Sequence, residues 1–498
     1  MLYMSTRGGS VSVTSAQAIL TGMAPDGGLF VPIEMPRIPE QDLVQLVDKS
    51  YQERAVFVLK QFLTDFTEKE IRSSVEQAYS IKSFDHASVA PVTTINDRLA
   101  ILELWHGPTC AFKDMALQLL PRLLTLSAKK VGDKYEYVIL VATSGDTGKA
   151  ALEGFKDVPQ TKILVFYPDE GVSQVQKLQM VTQDGNNVGV VAVEGNFDDT
   201  QSGVKEIFND EDFKSKLLKK GYKFSSANSI NWGRLVPQIV YYFSAYLDLL
   251  GKGQITIGEH INFVVPTGNF GNILAGFYAK QMGLPVHKLI CAANQNNVLT
   301  DFIKTGIYDR NRAFYKTISP SMDILISSNL ERLLFDLSRD HAKVVKWMTD
   351  LKTAGKYEVD HDLQSKIKDN FWSEYSTDQE TKQRLKEVYQ AYHYLIDTHT
   401  AVAWDVYEKY LKETGDRHKT VIVSTASPFK FNTSVCEAIY GREILVGKGE
   451  LELLEFLSQK TGTAIPRGLA NLDQKRIIHK KVCQKEEMRK YVAEFLGE

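Results

Sequence analysis

Between about residue 96 and residue 293, short apolar runs alternate with segments of helical spacing, and this constrains the fold more than any other feature. Leu99–Leu104, Tyr135–Ala142, Thr161–Tyr167, Asn187–Val193, Ile261–Val265 and Lys288–Ala293 read as strands. Met115–Leu126, Lys149–Phe155, Ser173–Thr182, Asp198–Phe208, Trp232–Leu250 and Ile273–Met282 read as helices. Strands separated by helices imply mostly parallel sheets covered on both faces. Lys419–Ser424 reads as one more strand. A chain of 498 residues exceeds a single core, so several domains are expected. The expected class is α/β, with two α/β domains over 96–230 and 231–498. Residues 1–95 form an N-terminal cap with helices at Ser50–Phe66 and Lys69–Tyr79. A charge-rich helical insertion is expected at about 300–415.

Chemistry concentrates where strands hand over to helices. His106-Gly-Pro-Thr-Cys-Ala-Phe-Lys-Asp114 sets Lys113 at the entry to a helix, beside Ala111 and Phe112. The positive end of the helix dipole and apolar neighbours both favour a neutral amine. A neutral lysine is a nucleophile towards carbonyls and a possible base. The competing reading is a solvated lysine at a helix start. Thr143-Ser144-Gly145-Asp146-Thr147-Gly148 brings three hydroxyls and a carboxylate to a second helix start. It suits an anion or, more plainly, a set of helix caps. Pro266-Thr-Gly-Asn-Phe-Gly-Asn272 is a third such turn, without the P-loop ending or the dinucleotide spacing. Asn228, Ser229 and Arg234 enter a fourth helix, where the guanidinium clamps an anion or is merely solvated. Thr425 follows a strand, at the edge where open α/β sheets bind ligands. A lysine, a phosphate cradle and hydroxyls, with no metal-ligand spacing, suit pyridoxal phosphate.

The remaining composition narrows the partners. A net charge of -2 leaves no basic excess for nucleic acid. No apolar run approaches the about 20 residues of a membrane span, and no secretory signal pattern is expected. Cys110, Cys291, Cys436 and Cys483 are scattered, forming neither a zinc spacing nor a disulfide framework. A cytoplasmic location is expected.

Taken together, the motifs resemble the threonine synthase family, within the β-family (fold type II) of pyridoxal-phosphate enzymes. The likeness runs nearly end to end. It rests on Tyr3–Gly8, Gly22–Pro32, His106–Asp114, Thr143–Gly148, Tyr167–Ser173, Gly195–Asp199, Ser226–Asn231, Pro266–Asn272, Ser319–Asp323, Ser327–Arg332 and Asp397–Ala401. The resemblance implies that Lys113 bonds the cofactor and that Gly268, Asn269, Phe270, Gly271 and Asn272 hold its phosphate. It implies that Asp146 lies beside the 3′-oxygen and that Thr425 faces the pyridine nitrogen. Thr143, Ser144, Thr147, Asn228, Ser229 and Arg234 would line a substrate-phosphate pocket. Ser427 and Phe429 depart from the family, where many relatives have histidine and alanine. The implied reaction turns O-phospho-L-homoserine and water into L-threonine and phosphate, with no metal. A monomer is favoured over a dimer. A phospho-lyase giving 2-oxobutyrate, or a non-catalytic metabolite-binding protein, are the alternatives.

Overall fold

The computed structural model describes residues 1–143 and 145–497. Two parallel sheets, one beside each half of the expected site, organise the chain. The larger has six strands in the order Phe371–Tyr375, Val286–Ala293, Ile261–Pro266, Thr420–Ser424, Leu99–Glu103, Val92–Thr94. All pairs are parallel except the last, where Val92–Thr94 runs antiparallel to its neighbour. The smaller has five parallel strands, in the order Lys481–Cys483, Val188–Val193, Thr161–Pro168, Glu136–Ala142, Tyr222–Ser225. The central strands are buried along their length, as expected when helices cover both faces.

Sheet membership does not follow the boundaries expected at 95 and 230. Leu99–Glu103, which leads into the Lys113 loop, pairs with Thr420–Ser424 in the larger sheet. Lys481–Cys483, near the end of the chain, returns to the edge of the smaller one. The segment at 300–415 is mostly helical, but it also supplies the strand Phe371–Tyr375. Apolar alternation in Phe371-Trp-Ser-Glu-Tyr375 is too brief to announce a strand. Pairing with Leu289–Ala293 supplies the missing stability.

Local signals set the helix ends. Capping boxes at Ser50/Glu53 and Thr67/Glu70 start the cap helices Tyr51–Phe62 and Glu68–Ala78. The helix expected at Met115–Leu126 divides into Asp114–Leu117 and Leu120–Val131, since Pro121 can open a helix but cannot continue one. Trp232–Gly251 is buried almost all round and packs between the cap helix Tyr51–Phe62 and the helix Gly271–Gln281. Its first turn carries Arg234 into the interior.

Candidate active site

The carboxyl ends of Ile261–Pro266, Thr420–Ser424 and Leu99–Glu103 meet the helix starts at residues 114, 146, 232 and 271. Lys113 lies at this junction. Its Nζ is 3.3 Å from Asp146 Oδ2 and 3.4 Å from Ser321 Oγ, and 5.1 Å from the centre of the Phe112 ring. Burial lowers its pKa, and Asp146 opposes that shift. The Thr425 segment is stitched to the lysine loop by backbone. Phe112 N–H donates to the Thr425 carbonyl at 2.8 Å, and Ala111 bridges Ala426. Thr425 itself is buried.

Asp146 is the electrostatic hub. Its Oδ1 receives Lys430 Nζ at 2.6 Å and Gln176 Nε2 at 3.0 Å, while Oδ2 faces Lys113. Burial works against its charge, but Lys430 and Lys113 outweigh it and hold the carboxyl well below its ordinary range. Lys430 also donates to the Thr109 carbonyl at 2.9 Å. Cys110 has a φ of 58° in this tight loop, and burial pushes its thiol up to about 12, so it is no nucleophile at neutral pH.

The turn after Ile261–Pro266 has the form of an anion cradle. Phe270 adopts φ 63°, and the helix starts at Gly271, so Gly271 and Asn272 belong to its first turn. A Cβ on Gly268 would lie 2.8 Å from the Ser321 carbonyl, so only glycine fits under that segment. Tyr241 and Tyr242 donate to Asn272 Oδ1 at 2.5 and 2.8 Å, leaving its buried Nδ2 without a partner. Asn269 accepts from Asn329 through its carbonyl. A buried amide donor aimed from a helix start, next to a buried lysine, fits a phosphate-bearing aldehyde such as pyridoxal phosphate.

Arg234 is 3% exposed, and it forms no ion pair among the described residues. Nη1 donates to the Ala227 carbonyl at 2.6 Å, and Nε has no partner. Burial draws its pKa down to about 10, so it remains charged at neutral pH. A buried cation without a counter-ion calls for an anionic ligand. Ser229 Oγ lies 3.2 Å from the exposed Asn228 and 3.4 Å from Ser328 Oγ, which lies 3.4 Å from Asn269 Oδ1. The two expected anion sites therefore adjoin. Thr147 is half-buried in the first turn of Asp146–Phe155. Ser144 lies outside the described residues. The Thr143 hydroxyl is spent inside its own loop: it accepts from Gly145 and Gly148 N–H at 3.1 Å and donates to the Gly145 carbonyl. These bonds tie Thr143 to the start of the helix Asp146–Phe155. Ser427 likewise accepts from Phe429 N–H, and Phe429 is buried.

Sequence reasoning passed over Lys430, Ser321 and His399. His399 is buried, with Nδ1 2.7 Å from Asp397 and Nε2 accepting Ser321 N–H at 3.1 Å. It holds the Ser319–Asp323 segment over Gly268. Ser321 and His399 fall within the motifs Ser319–Asp323 and Asp397–Ala401, and Lys430 sits in the same stretch as Thr425. Three other candidate ligands, His287, Asp416 and His418, converge at the amino ends of the larger sheet's strands. The two imidazoles are stacked with ring centres 4.0 Å apart, and His418 Nδ1 lies 2.6 Å from Asp416.

Two interleaved parallel sheets closing on a buried lysine and an anion-binding helix start define a pyridoxal-phosphate enzyme of fold type II. Residues 93–351 match the model for pyridoxal-phosphate-dependent enzymes. Residues 2–79 and 400–491 match those for the threonine synthase N-terminus and C-terminus. The crystal structure of pyridoxal-phosphate-bound threonine synthase from Brucella melitensis superposes with a TM-score of 0.88 at 37% identity, covering 99% of each chain. Threonine synthase of Schizosaccharomyces pombe is 36% identical over 95% of this chain and 96% of its own. Human threonine synthase-like 1 is 41% identical over 86% of this chain, which spans 58% of that protein's length. The chain belongs to the threonine synthase family.

Proposed function

We propose that this protein is a threonine synthase, converting O-phospho-L-homoserine and water into L-threonine and phosphate. The observation that carries the reading is Arg234, a buried guanidinium without a counter-ion beside the Lys113 amine. When bound, pyridoxal phosphate supplies an electron sink for a substrate carbanion. Lys113 would bond the cofactor aldehyde, and its Nζ would move protons at substrate Cα and then Cβ, a role towards which its burial works by lowering the pKa of the amine. Residues Gly268–Asn272 would hold the cofactor phosphate through helix-start N–H groups and the free Asn272 amide. Asp146 would stand beside the 3′-oxygen, its charge offset by Lys430. Thr425 would face the pyridine nitrogen with a neutral hydroxyl. Arg234, with Thr147, Asn228 and Ser229, would hold the substrate phosphate and offset the charge that grows as the Cγ–O bond breaks.

The second reading is a phospho-lyase giving 2-oxobutyrate and ammonia. Product analysis of the holoenzyme with O-phospho-L-homoserine separates the two. Threonine with equimolar phosphate is expected; 2-oxobutyrate as the main product overturns the synthase reading. Lys113→Ala should remove the visible cofactor band and nearly all turnover. Four buried free thiols fit the reducing cytoplasm in which we place the protein, as a monomer. No helix among the described residues is long and apolar enough to cross a membrane.

A further inference from the structure

The loop that carries Lys113 has a second face. Behind Gly107 and Pro108 lies a cavity of about 190 Å³. Three parts of the chain converge on it. Lys82 comes from the end of the cap, Gln179 from the helix Gln174–Val181, and Arg467 and Lys475 from the C-terminal segment. Some of the charge there is already matched. Lys149 pairs with Glu153 at 3.0 Å, and His106 lies between Asp85 at 2.7 Å and Glu103 at 2.8 Å. Lys82, Arg467 and Lys475 form no ion pair among the described residues; Arg467 donates only to the Lys82 carbonyl, at 2.7 Å. In the wall, Gln179 is 1% exposed. Its Nε2 donates to the Gly468 carbonyl at 3.1 Å, and its buried Oε1 has no partner.

We propose that this cavity binds a phosphate group, free or as a small monoester, at a site separate from the one at Arg234. Three exposed cations without a protein counter-ion among the described residues, from two segments distant in the chain, suit a compact dianion better than a single carboxylate. The lone acceptor of Gln179 takes the hydroxyl of a protonated phosphate or of the ester. The site touches the catalytic loop from behind. A Cβ on Gly468 would fall 2.2 Å from the Pro108 carbonyl oxygen, so the two backbones are in close contact. An anion that draws Lys82 and Arg467 together presses on the loop that positions Lys113. The proposal does not rest on the reaction assigned above.

Calorimetric titration of the holoenzyme with inorganic phosphate, and separately with glycerol 3-phosphate, tests it. Two classes of phosphate site are expected. The double variant K82E/K475E, at exposed positions, should weaken one class at least tenfold and leave the visible cofactor band unchanged. Gln179→Leu, which alters no charge, should weaken the same class, and Arg234→Ala should spare it. Competition by glycerol 3-phosphate at this class points to a monoester; binding of inorganic phosphate alone points to the free ion. Unchanged titrations in K82E/K475E and Gln179→Leu, or loss of all phosphate binding in Arg234→Ala, overturn the proposal.

Discussion

Lys430 and Arg234 are cations buried in one site, and their surroundings differ in kind. Lys430 lies 2.6 Å from the Asp146 carboxylate and 2.9 Å from a carbonyl oxygen, with its side chain fully enclosed. Arg234 meets one carbonyl and has an idle Nε. Burying either charge is costly, and only Lys430 recovers that cost within the protein. A charge satisfied by its own chain sets the electrostatics of the site. A charge left unsatisfied is held ready for something that arrives from outside.

The largest effect should come from breaking the satisfied pair. Lys430→Met leaves Asp146 underpaired and is expected to cost about 3–5 kcal/mol of stability, measured by denaturant unfolding of the apoenzyme. Lys430→Met with Asp146→Asn should recover most of it; no recovery would mean that Lys430 acts by packing alone. For Arg234→Ala the same measurement should change less, since no charge is orphaned and only the Ala227 carbonyl loses a donor. Its rate with phosphohomoserine should instead fall about 10²–10³-fold, as when one preorganised donor is lost. A large loss of apoenzyme stability in Arg234→Ala would erase the contrast.

His106 is an intermediate case, paired but able to titrate. Burial disfavours its charge, yet the hydrogen bonds to Asp85 and Glu103 prevail and push it up to about 9. Its folded value lies above the unfolded one, so its contribution is complete below about pH 6.5 and is lost as pH rises through 9. The difference between wild type and His106→Gln should therefore be about 3 kcal/mol at pH 6 and vanish above pH 10. A flat difference across that range would show that the pairing contributes nothing. The smallest effect is expected for Arg234→Lys, which keeps the charge and loses the planar fork: about tenfold in rate, or about 1.4 kcal/mol. Equal rates for Arg234→Lys and wild type would show that charge alone is being read.

Much of the site was legible in the chain because its parts are local. Lys113 at a helix start, the turn Pro266–Asn272 and Arg234 in a first turn follow from residue order and backbone geometry. Lys430 escaped notice although it is five residues from Thr425. Its meaning lies in Asp146, and nothing near Lys430 in the chain names that partner. His399 and Ser321 were hidden for the same reason, since each acts by holding another segment in place. Thr143 is expected in the pocket from its place before a helix, and its hydroxyl bonds within its own loop, to Gly145 and Gly148.

The sequence by itself determined the α/β class, the parallel sheets and the position of Lys113 at a helix start. Apolar period, glycine turns and helix starts are short-range properties that each segment carries alone. The tertiary structure decided which sheet each strand joins: Leu99–Glu103 with the larger one, Lys481–Cys483 with the smaller. It also decided which buried charges meet. Lys430 reaches Asp146 and Arg234 reaches no carboxylate among the described residues, because ion pairing depends on distances set by the packing of remote segments.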